Sequence, residues 1–272
     1  MRAAKQATVF GANGFIGRHL TGYLRECGWE VLALGRNDTD WRGRPLGHVF
    51  YCIGLTADFR SRPFDTIEAH VSLAVQVLRN AELDSFLYCS STRVYAGGDC
   101  ADEAGRLTVD PNDPSDLYNL SKLTGEAACL AVPRAHVRVA RLSNVFGADD
   151  VSDNFLTSVL RDAVTAGRVE MRSAPNSAKD YVAVEDVVAA LLQIAERGEA
   201  RIYNVAAGRN TTHAEILAAV QAGTGCGVAW PTDNLPQVFP LIMVGRLRAL
   251  MDWRPTYIED RIAGLIAAAR SR

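Results

Sequence analysis

Short apolar runs alternate along the chain with longer segments in which apolar residues recur every three or four positions. The runs predict buried strands, and the periodic segments predict amphipathic helices. The predicted strands are Ala7–Phe10, Glu30–Leu34, His48–Ile53, Ser85–Ser90, Val137–Arg141, Asp180–Val182 and Arg201–Val205. The predicted helices are Arg18–Leu24, Asp65–Leu83, Asp116–Leu130, Asn154–Ala166, Glu185–Glu196, Thr212–Thr224 and Ile258–Ala269. This alternation favours an α/β fold with a doubly wound parallel sheet.

Two stretches interrupt the alternation. Only eleven residues, 37–47, lie between the second and third predicted strands, fewer than a parallel crossover with a full helix needs. We therefore expect an abbreviated unit there, with at most a stub of helix or strand. Residues 226–244 contain three prolines and are predicted to be irregular.

A glycine turn follows the first predicted strand. Gly11, Gly14 and Gly17 are spaced G-x-x-G-x-x-G and lead into a predicted helix. Free N–H groups and the helix dipole then point at one place and favour an anion. Glycine permits a tight turn and close approach to a pyrophosphate, so we predict a dinucleotide site of the Rossmann type, although the spacing differs from G-x-G-x-x-G. The other residues of the turn assigned to cofactor binding are Asn13, Phe15 and Ile16.

Charge and cysteine content narrow the function classes. The chain has 29 basic and 31 acidic residues, a formal net charge of −2, which gives no reason to expect nucleic acid or an anionic membrane as partner. Six cysteines show no metal-ligand spacing and are predicted to be buried free thiols in a reducing compartment. No apolar run approaches the ~18 residues of a membrane span. Residues 1–6 lead straight into the first strand, so we expect no signal peptide and a cytoplasmic location.

A phenol and an ammonium group four residues apart carry the candidate chemistry. Tyr118 and Lys122 share one face of a predicted helix. A tyrosine has a reference pKa of about 10, and a nearby cation lowers that value. Ser90 and Ser91 end the preceding strand. Because ligands of open α/β sheets bind at the carboxyl ends of strands, we expect these groups to meet the glycine turn there.

In these features the chain resembles the extended short-chain dehydrogenase/reductases, the group of nucleotide-sugar epimerases, dehydratases and reductases. The stretches that carry the resemblance are Gly11–Gly17, Tyr88–Tyr95, Tyr118–Lys122, Arg141–Gly147, Lys179–Val187, Tyr203–Val205 and Asp252–Pro255. They occur in the family's order over nearly the whole chain. We therefore expect residues 1–150 to form a Rossmann domain that binds NAD(P), with a return of about 182–206. Residues 151–272 would form mainly a smaller α/β substrate lobe.

The resemblance implies roles for particular residues. Tyr118 would be the catalytic acid/base, Lys122 its pKa tuner and a nicotinamide-ribose ligand, and Ser91 a hydrogen-bonding partner of the reacting sugar hydroxyl. Further cofactor-binding residues would be Ile53, Gly54, Leu55, Leu142 and Ser143. Further substrate-binding residues would be Thr92, Arg93, Asn144, Asn154 and Lys179. For Asn144 and Asn154 the alternative is a loop or helix cap. No metal site is expected.

Two departures from the family pattern bear on the reaction. Gly35 and Arg36 follow the second strand, where the family usually has an aspartate for the adenosine ribose. Arginine suits a 2′-phosphate, so we expect NADP(H) to be favoured over NAD(H). Thr92 and Arg93 replace the dehydratase Asp-Glu pair, and arginine cannot abstract a proton. Dehydration is therefore disfavoured, and hydride exchange at one sugar carbon remains. The enzyme would be a 4-epimerase or a 4-ketoreductase, and an NADP preference favours reduction.

Other departures leave the substrate open. His70 stands where the family usually has asparagine, and we interpret it as a core or interface histidine rather than a ligand-site residue. Residues 231–240 lack the arginine that commonly binds the diphosphate, for which Arg246 could substitute. Alternatives to a nucleotide-sugar enzyme are a reductase of a small non-nucleotide carbonyl compound and a non-catalytic NAD(P)-sensing protein. The helices Asp65–Leu83 and Asp116–Leu130 have broad apolar faces, and the resemblance implies that they pair with those of a second copy in a homodimer.

Overall fold

Six parallel strands form the central sheet of the computed structural model, which describes residues 5–55 and 58–272. The order across the sheet is β2–β1–β3–β4–β5–β9. The strands are β1 Gln6–Phe10, β2 Glu30–Leu34, β3 His48–Tyr51, β4 Ser85–Ser91, β5 Val137–Leu142 and β9 Ile202–Val205. The predicted α/β fold is therefore confirmed. Residues 1–4, on which the expectation about a signal peptide partly rests, lie outside the described residues.

The chain changes direction across the sheet next to β1. β2 pairs with one side of β1 and β3 with the other, both in parallel. Residues 37–47 between β2 and β3 contain neither helix nor strand, as their length predicts. The loops after β1 and β3 consequently diverge, and this switch point is where open α/β sheets bind ligands.

Helices cover both faces of the sheet. On one face α1, Phe15–Glu26, packs against α6, Val184–Arg197. On the other lie α2, Pro63–Ile67, and α3, Leu73–Asn80, joined by a π-helical turn, Glu68–Ser72, and packed against α4, Leu117–Ala131. The predicted helix Asp65–Leu83 is thus interrupted, which apolar periodicity does not reveal.

A second apolar core lies beside the central sheet. It is surrounded by a three-stranded sheet ordered β10–β8–β6, a two-stranded sheet β11–β7 and three helices. These strands are β6 Asn144–Phe146, β7 Arg168–Glu170, β8 Ala178–Ala183, β10 Asn210–Thr212 and β11 Gly227–Ala229. The three helices are α5 Phe155–Thr165, α7 His213–Thr224 and α9 Ile258–Arg270. A short helix α8, Gly245–Leu250, packs beside β9.

Several short elements differ from the sequence prediction. The strands β6, β7, β10 and β11 have three residues each, too few to show an alternating pattern, and α8 spans less than two turns. Cys27 and Cys100 are exposed rather than buried, although all six cysteines are free. In the part of the chain that the structure describes, no helix combines the length and the apolar character needed to cross a membrane.

Candidate active site

The turn between β1 and α1 leaves no room for side chains at its glycines. Gly11 has φ +82°, and a Cβ on Gly17 would lie 2.1 Å from the carbonyl oxygen of Gly11. Gly14 caps α1 without a side chain, so the first N–H groups of this helix face the cavity beyond the turn. Such a bare, positively polarised helix end favours a phosphate group.

A cavity of about 470 Å³ opens at the carboxyl ends of the central strands, within the range of small-molecule sites. It brings together fifteen of the residues predicted for the site. They are Gly14, Phe15, Ile16, Ile53, Gly54, Ser91, Thr92, Arg93, Tyr118, Lys122, Leu142, Ser143, Asn144, Asn154 and Lys179. Their proximity is a finding, whereas their roles stay predictions.

Tyr118 and Lys122 are both buried on the face of α4 that meets the sheet. The Lys122 ammonium donates to the carbonyl oxygen of Cys89 at 2.9 Å and lies 5.1 Å from the centre of the Tyr88 ring. The Arg93 guanidinium lies 5.5 Å from the centre of the Tyr118 ring. The helix thus places the phenol between β4, which carries Ser91, and the cavity.

The pKa of the Tyr118 phenol is raised above its ordinary value. Burial raises the pKa of the Tyr118 phenol, while the Ser91 hydroxyl and the Arg93 guanidinium lower it in part. Lys122 is not among the groups that lower this pKa, and its ammonium donates instead to the carbonyl oxygen of Cys89 on β4. Burial also lowers the pKa of Lys122 to about 8. Four-residue spacing places two Cβ atoms on one face but does not fix the tip of a lysine.

His70 connects α4 with the loop after β3. Its Nε2 accepts a hydrogen bond from the Leu55 N–H at 3.1 Å, so the proton is on Nδ1, which donates to the Ser121 hydroxyl at 2.8 Å. Ser121 in turn donates to the carbonyl oxygen of Tyr118. His70 lies in the π-helical turn, is fully buried and packs edge-on against Tyr118. The interpretation as a core histidine is confirmed.

We expect the stability of the protein to fall in mild acid because of two buried histidines. Burial lowers the pKa of His70 to about 2 and that of His213 to about 4. Below pH 6.5 the unfolded chain binds protons that the folded chain does not. The free energy of unfolding should therefore decrease by about 1 kcal/mol per histidine between pH 8 and pH 5.5. Urea unfolding at both pH values measures this loss. In His70→Asn the decrease in the free energy of unfolding should be about half as large. A decrease equal to that of the unaltered protein would contradict the attribution of the pH effect to His70.

Five predicted cofactor residues do not line the cavity. Gly11 and Gly17 form the turn behind it, and Leu55 is held by His70. Asn13 and Arg36 lie on the side of the adenosine ribose site inferred from the sequence. The Arg36 guanidinium is exposed and makes a 3.4 Å hydrogen bond to the carbonyl oxygen of Gly54.

A carboxylate that the sequence analysis missed lies beside Arg36. The Asp38 carboxylate accepts a hydrogen bond from the Gly35 N–H at 2.7 Å. It thus lies next to Gly35, the position at which the family has its aspartate. Because the carboxylate comes from three residues further along the chain, comparison of single positions does not reveal it.

The two predicted substrate asparagines line the cavity but also hold the backbone. Asn154 caps α5 by accepting a hydrogen bond from the Thr157 N–H at 3.0 Å. Asn144 donates to the carbonyl oxygen of Asp180 at 2.8 Å. The helix-cap alternative therefore describes Asn154, and a substrate contact would be an additional role. The suggestion that Arg246 could replace the diphosphate-binding arginine is corrected. Arg246 is not part of the cavity lining and donates instead to the carbonyl oxygen of Ile202.

The second sheet contributes further polar groups that the sequence analysis did not identify. The Asp180 carboxylate accepts three backbone N–H groups, from Ala207, Gly208 and Arg209. Burial raises the pKa of this carboxyl group. The Ser143 side chain lowers the pKa of Asp180 in part. Among the described residues, the buried Tyr181 hydroxyl lacks a hydrogen-bond partner. Ser143 and Tyr181 both line the cavity.

A buried ion pair lies behind the site. Arg141 on β5 and Glu126 on α4 form hydrogen bonds down to 2.7 Å, and their side chains are 4% and 3% exposed. The Ser90 hydroxyl donates to Glu126, and Arg141 donates to the Tyr95 hydroxyl at 2.8 Å. This network fixes the helix of Tyr118 against the two strands on which the cavity is built.

Comparison with known proteins gives consistent results. The model of the NAD dependent epimerase/dehydratase family matches residues 7–206. The chain is similar to the GDP-6-deoxy-D-mannose reductase of Pseudomonas aeruginosa, with 28% identity over 240 residues and 77% of each chain covered. Its fold is similar to that of RMD from Pseudomonas aeruginosa complexed with NADPH, with a TM-score of 0.78, 23% identity and 98% and 100% of the two chains covered. It is also similar to that of MoeE5 in complex with UDP-glucose and NAD, with a TM-score of 0.80, 22% identity and 98% and 99% covered.

Proposed function

Because the chain belongs to the NAD dependent epimerase/dehydratase family, we propose that it transfers hydride at one carbon of a nucleotide sugar. The reaction is a 4-ketoreduction or a 4-epimerisation. The reductase from Pseudomonas aeruginosa and a relative described as a dTDP-4-dehydro-6-deoxy-D-allose reductase support the first of these. The observation that carries the proposal is the meeting of Ser91, Tyr118 and Lys122 with the glycine turn in one cavity.

The residues present fit a nicotinamide dinucleotide. Side chains on Gly14 and Gly17 would press against the carbonyl oxygen of Gly11 and displace the turn. With glycine at both positions, a phosphate group at the start of α1 would meet free N–H groups. Ser143 and Lys122 also line the cavity, and their hydroxyl and ammonium groups would hold the nicotinamide end. The cofactor, when bound, supplies or accepts the hydride.

Tyr118 is proposed to move the proton. At neutral pH its raised pKa keeps the phenol protonated, which is the form that donates to the oxygen of a carbonyl group under reduction. Ser91 orients the same oxygen, and Arg93 stabilises the phenolate left after donation. The protonated phenol can thus act as the proton donor that ketoreduction needs.

A thermal-shift screen tests the proposal directly. The protein is mixed with UDP-, GDP- and dTDP-sugars, with NADPH or NADH present, and the melting temperature is measured. We expect at least one nucleotide sugar to raise it by several degrees and the cofactor to be consumed with the corresponding 4-keto sugar. Cofactor turnover on small aldehydes or lactones without stabilisation by any nucleotide would instead support a non-nucleotide substrate. Cofactor binding without any turnover would support a sensing role.

Arg36 is proposed to select NADP(H). A guanidinium can bind a 2′-phosphate with charge-assisted hydrogen bonds, each worth about 1.5–3 kcal/mol. We expect Arg36→Ala to weaken NADPH binding about tenfold or more and to change NADH binding little, as measured by fluorescence titration of the apoprotein. Asp38→Asn is the matched control, since removal of this carboxylate should not weaken NADPH binding. Equal or tighter binding of NADH by the unaltered protein would refute the preference.

We also propose a homodimer that involves the face of α2 and α3. Phe64 on α2 is 88% exposed, and Ile67 and Val75 nearby are also exposed. Exposed apolar patches of this kind favour association. The family resemblance implies an interface formed by the predicted helices Asp65–Leu83 and Asp116–Leu130, which correspond to α2 with α3 and to α4. Sedimentation velocity at micromolar concentration should show a dimer, and Phe64→Glu should shift it towards monomer. A monomeric unaltered protein would contradict the proposal.

A further inference from the structure

Two cationic side chains face the cavity without a carboxylate partner. Arg93 and Lys179 are both partly buried and line the cavity. Within the described ranges 5–55 and 58–272, neither forms an ion pair. Asp113 and Asp116 act on Arg93 only through space. Partly buried cations without counter-charges favour an anionic ligand.

Among the described residues, the packing of Arg93 leaves most of its N–H donors without a partner. Its guanidinium lies 5.2 Å from the centre of the Phe59 ring and 5.5 Å from that of Tyr118. One nitrogen, Nη2, makes a hydrogen bond of 3.3 Å to the carbonyl oxygen of Ser115. A guanidinium that stacks on rings uses its faces and keeps its in-plane N–H groups for planar anions such as carboxylates. Arg93 is therefore positioned for such a ligand group.

The two cations belong to different parts of the cavity. Arg93 follows Ser91 by two residues and lies against Tyr118, so it is at the end where the sugar carbon reacts. Lys179 is on β8 of the second sheet, with its ammonium 5.5 Å from the centre of the Phe239 ring. The diphosphate of a nucleotide sugar can account for Lys179. Arg93, at the other end, has in-plane N–H groups that can bind a second anionic group, on the sugar itself.

We propose that the substrate is a nucleotide-activated sugar acid. Its carboxylate, attached to the carbon next to the reacting one, is bound by the in-plane N–H groups of Arg93. This inference rests on the proposed function and narrows its substrate class. The guanidinium and a carboxylate can form two parallel hydrogen bonds. The positive charge also offsets the carboxylate near the phenol, so that Tyr118 can still form a phenolate when it donates its proton.

Matched pairs of nucleotide sugars that differ at C6 test the inference. The pairs are UDP-glucuronate with UDP-glucose, GDP-mannuronate with GDP-mannose, and dTDP-glucuronate with dTDP-glucose. Dissociation constants are measured by calorimetry with NADP(H) or NAD(H) present. In at least one pair we expect the acid to bind about ten- to a hundredfold more tightly, with an advantage that decreases as salt is added.

Variants separate Arg93 from its surroundings. Arg93→Gln should abolish the advantage of the acid, and Arg93→Lys should restore part of it. Arg60→Gln is the control, because Arg60 also stacks on Phe59 and contacts Ser115 but is exposed and does not line the cavity. It should leave the ratio unchanged. Lys179→Met should weaken acid and neutral sugars alike.

The outcomes are distinguishable. If neutral sugars bind as tightly as the acids in every pair that binds, the inference is wrong and the proposed function stands. If the acid advantage survives Arg93→Gln, the assignment of Arg93 is wrong. If no nucleotide sugar binds in either cofactor complex, the proposed function fails and the inference fails with it.

Discussion

Replacement of Tyr118 by phenylalanine is expected to lower kcat by about 10²- to 10⁴-fold, the range typical of a lost general acid. The change removes one oxygen atom and keeps the ring that packs against Phe59 and His70. Cofactor affinity should therefore stay within a few-fold of its original value. Steady-state kinetics and a cofactor titration measure the two effects separately.

A second buried tyrosine provides the control for Tyr118→Phe. The hydroxyl of Tyr181 is buried, without a hydrogen-bond partner among the described residues, and belongs to a residue that lines the same cavity. Tyr181→Phe should alter KM at most and leave kcat within a few-fold. If Tyr118→Phe keeps more than a tenth of the activity, or Tyr181→Phe loses as much, the role given to Tyr118 is wrong.

The second large effect is expected at the buried ion pair. Arg141→Met would leave the Glu126 carboxylate buried without its cation, and breaking such a pair costs about 3–5 kcal/mol. We expect the free energy of unfolding in urea to decrease by about this amount. Because α4 carries Tyr118, activity should also become more sensitive to temperature.

Two further variants of this protein serve as controls for the measurement. The double variant Glu126→Leu/Arg141→Met removes both charges and should recover most of the loss, since an apolar pair of similar size replaces the ions. Arg168 and Glu170 form an ion pair whose side chains are 65% and 69% exposed, and Arg168→Met should cost less than about 1 kcal/mol. Equal losses at Arg141 and Arg168 would show that the buried pair does not stabilise this fold.

The central sheet could be predicted from sequence because most of its strands, with β2 at the edge as the exception, are largely buried, and because its turns carry glycine. Gly11, Gly14 and Gly17 are fixed by backbone sterics alone, since no other residue fits at Gly17. Segment length likewise predicted the abbreviated unit at residues 37–47. Such local signals do not depend on tertiary contacts.

The details of the site depend on contacts that a sequence does not contain. The spacing of Tyr118 and Lys122 predicts a shared helix face, but the carbonyl group of Cys89 determines where the lysine ammonium lies. Arg93 was recognised as a departure from the dehydratase pattern, yet its stack on Tyr118 follows from the packing of Phe59. Asp38 is a similar case, since its carboxylate reaches Gly35 only through a turn.

Because of the π-helical turn Glu68–Ser72, the site depends on the number of residues in the segment Pro63–Asn80 as well as on their identity. A π turn contains one residue more than an α turn, and each residue of an α-helix rotates the next by about 100°. Deletion of a single residue here would let Pro63–Asn80 become one regular helix, with its two ends out of phase by that angle. His70 would then leave Leu55 and Ser121, or the α2 face would turn away from its present direction. Homologues that keep this turn are therefore expected to tolerate substitutions in the segment far better than insertions or deletions.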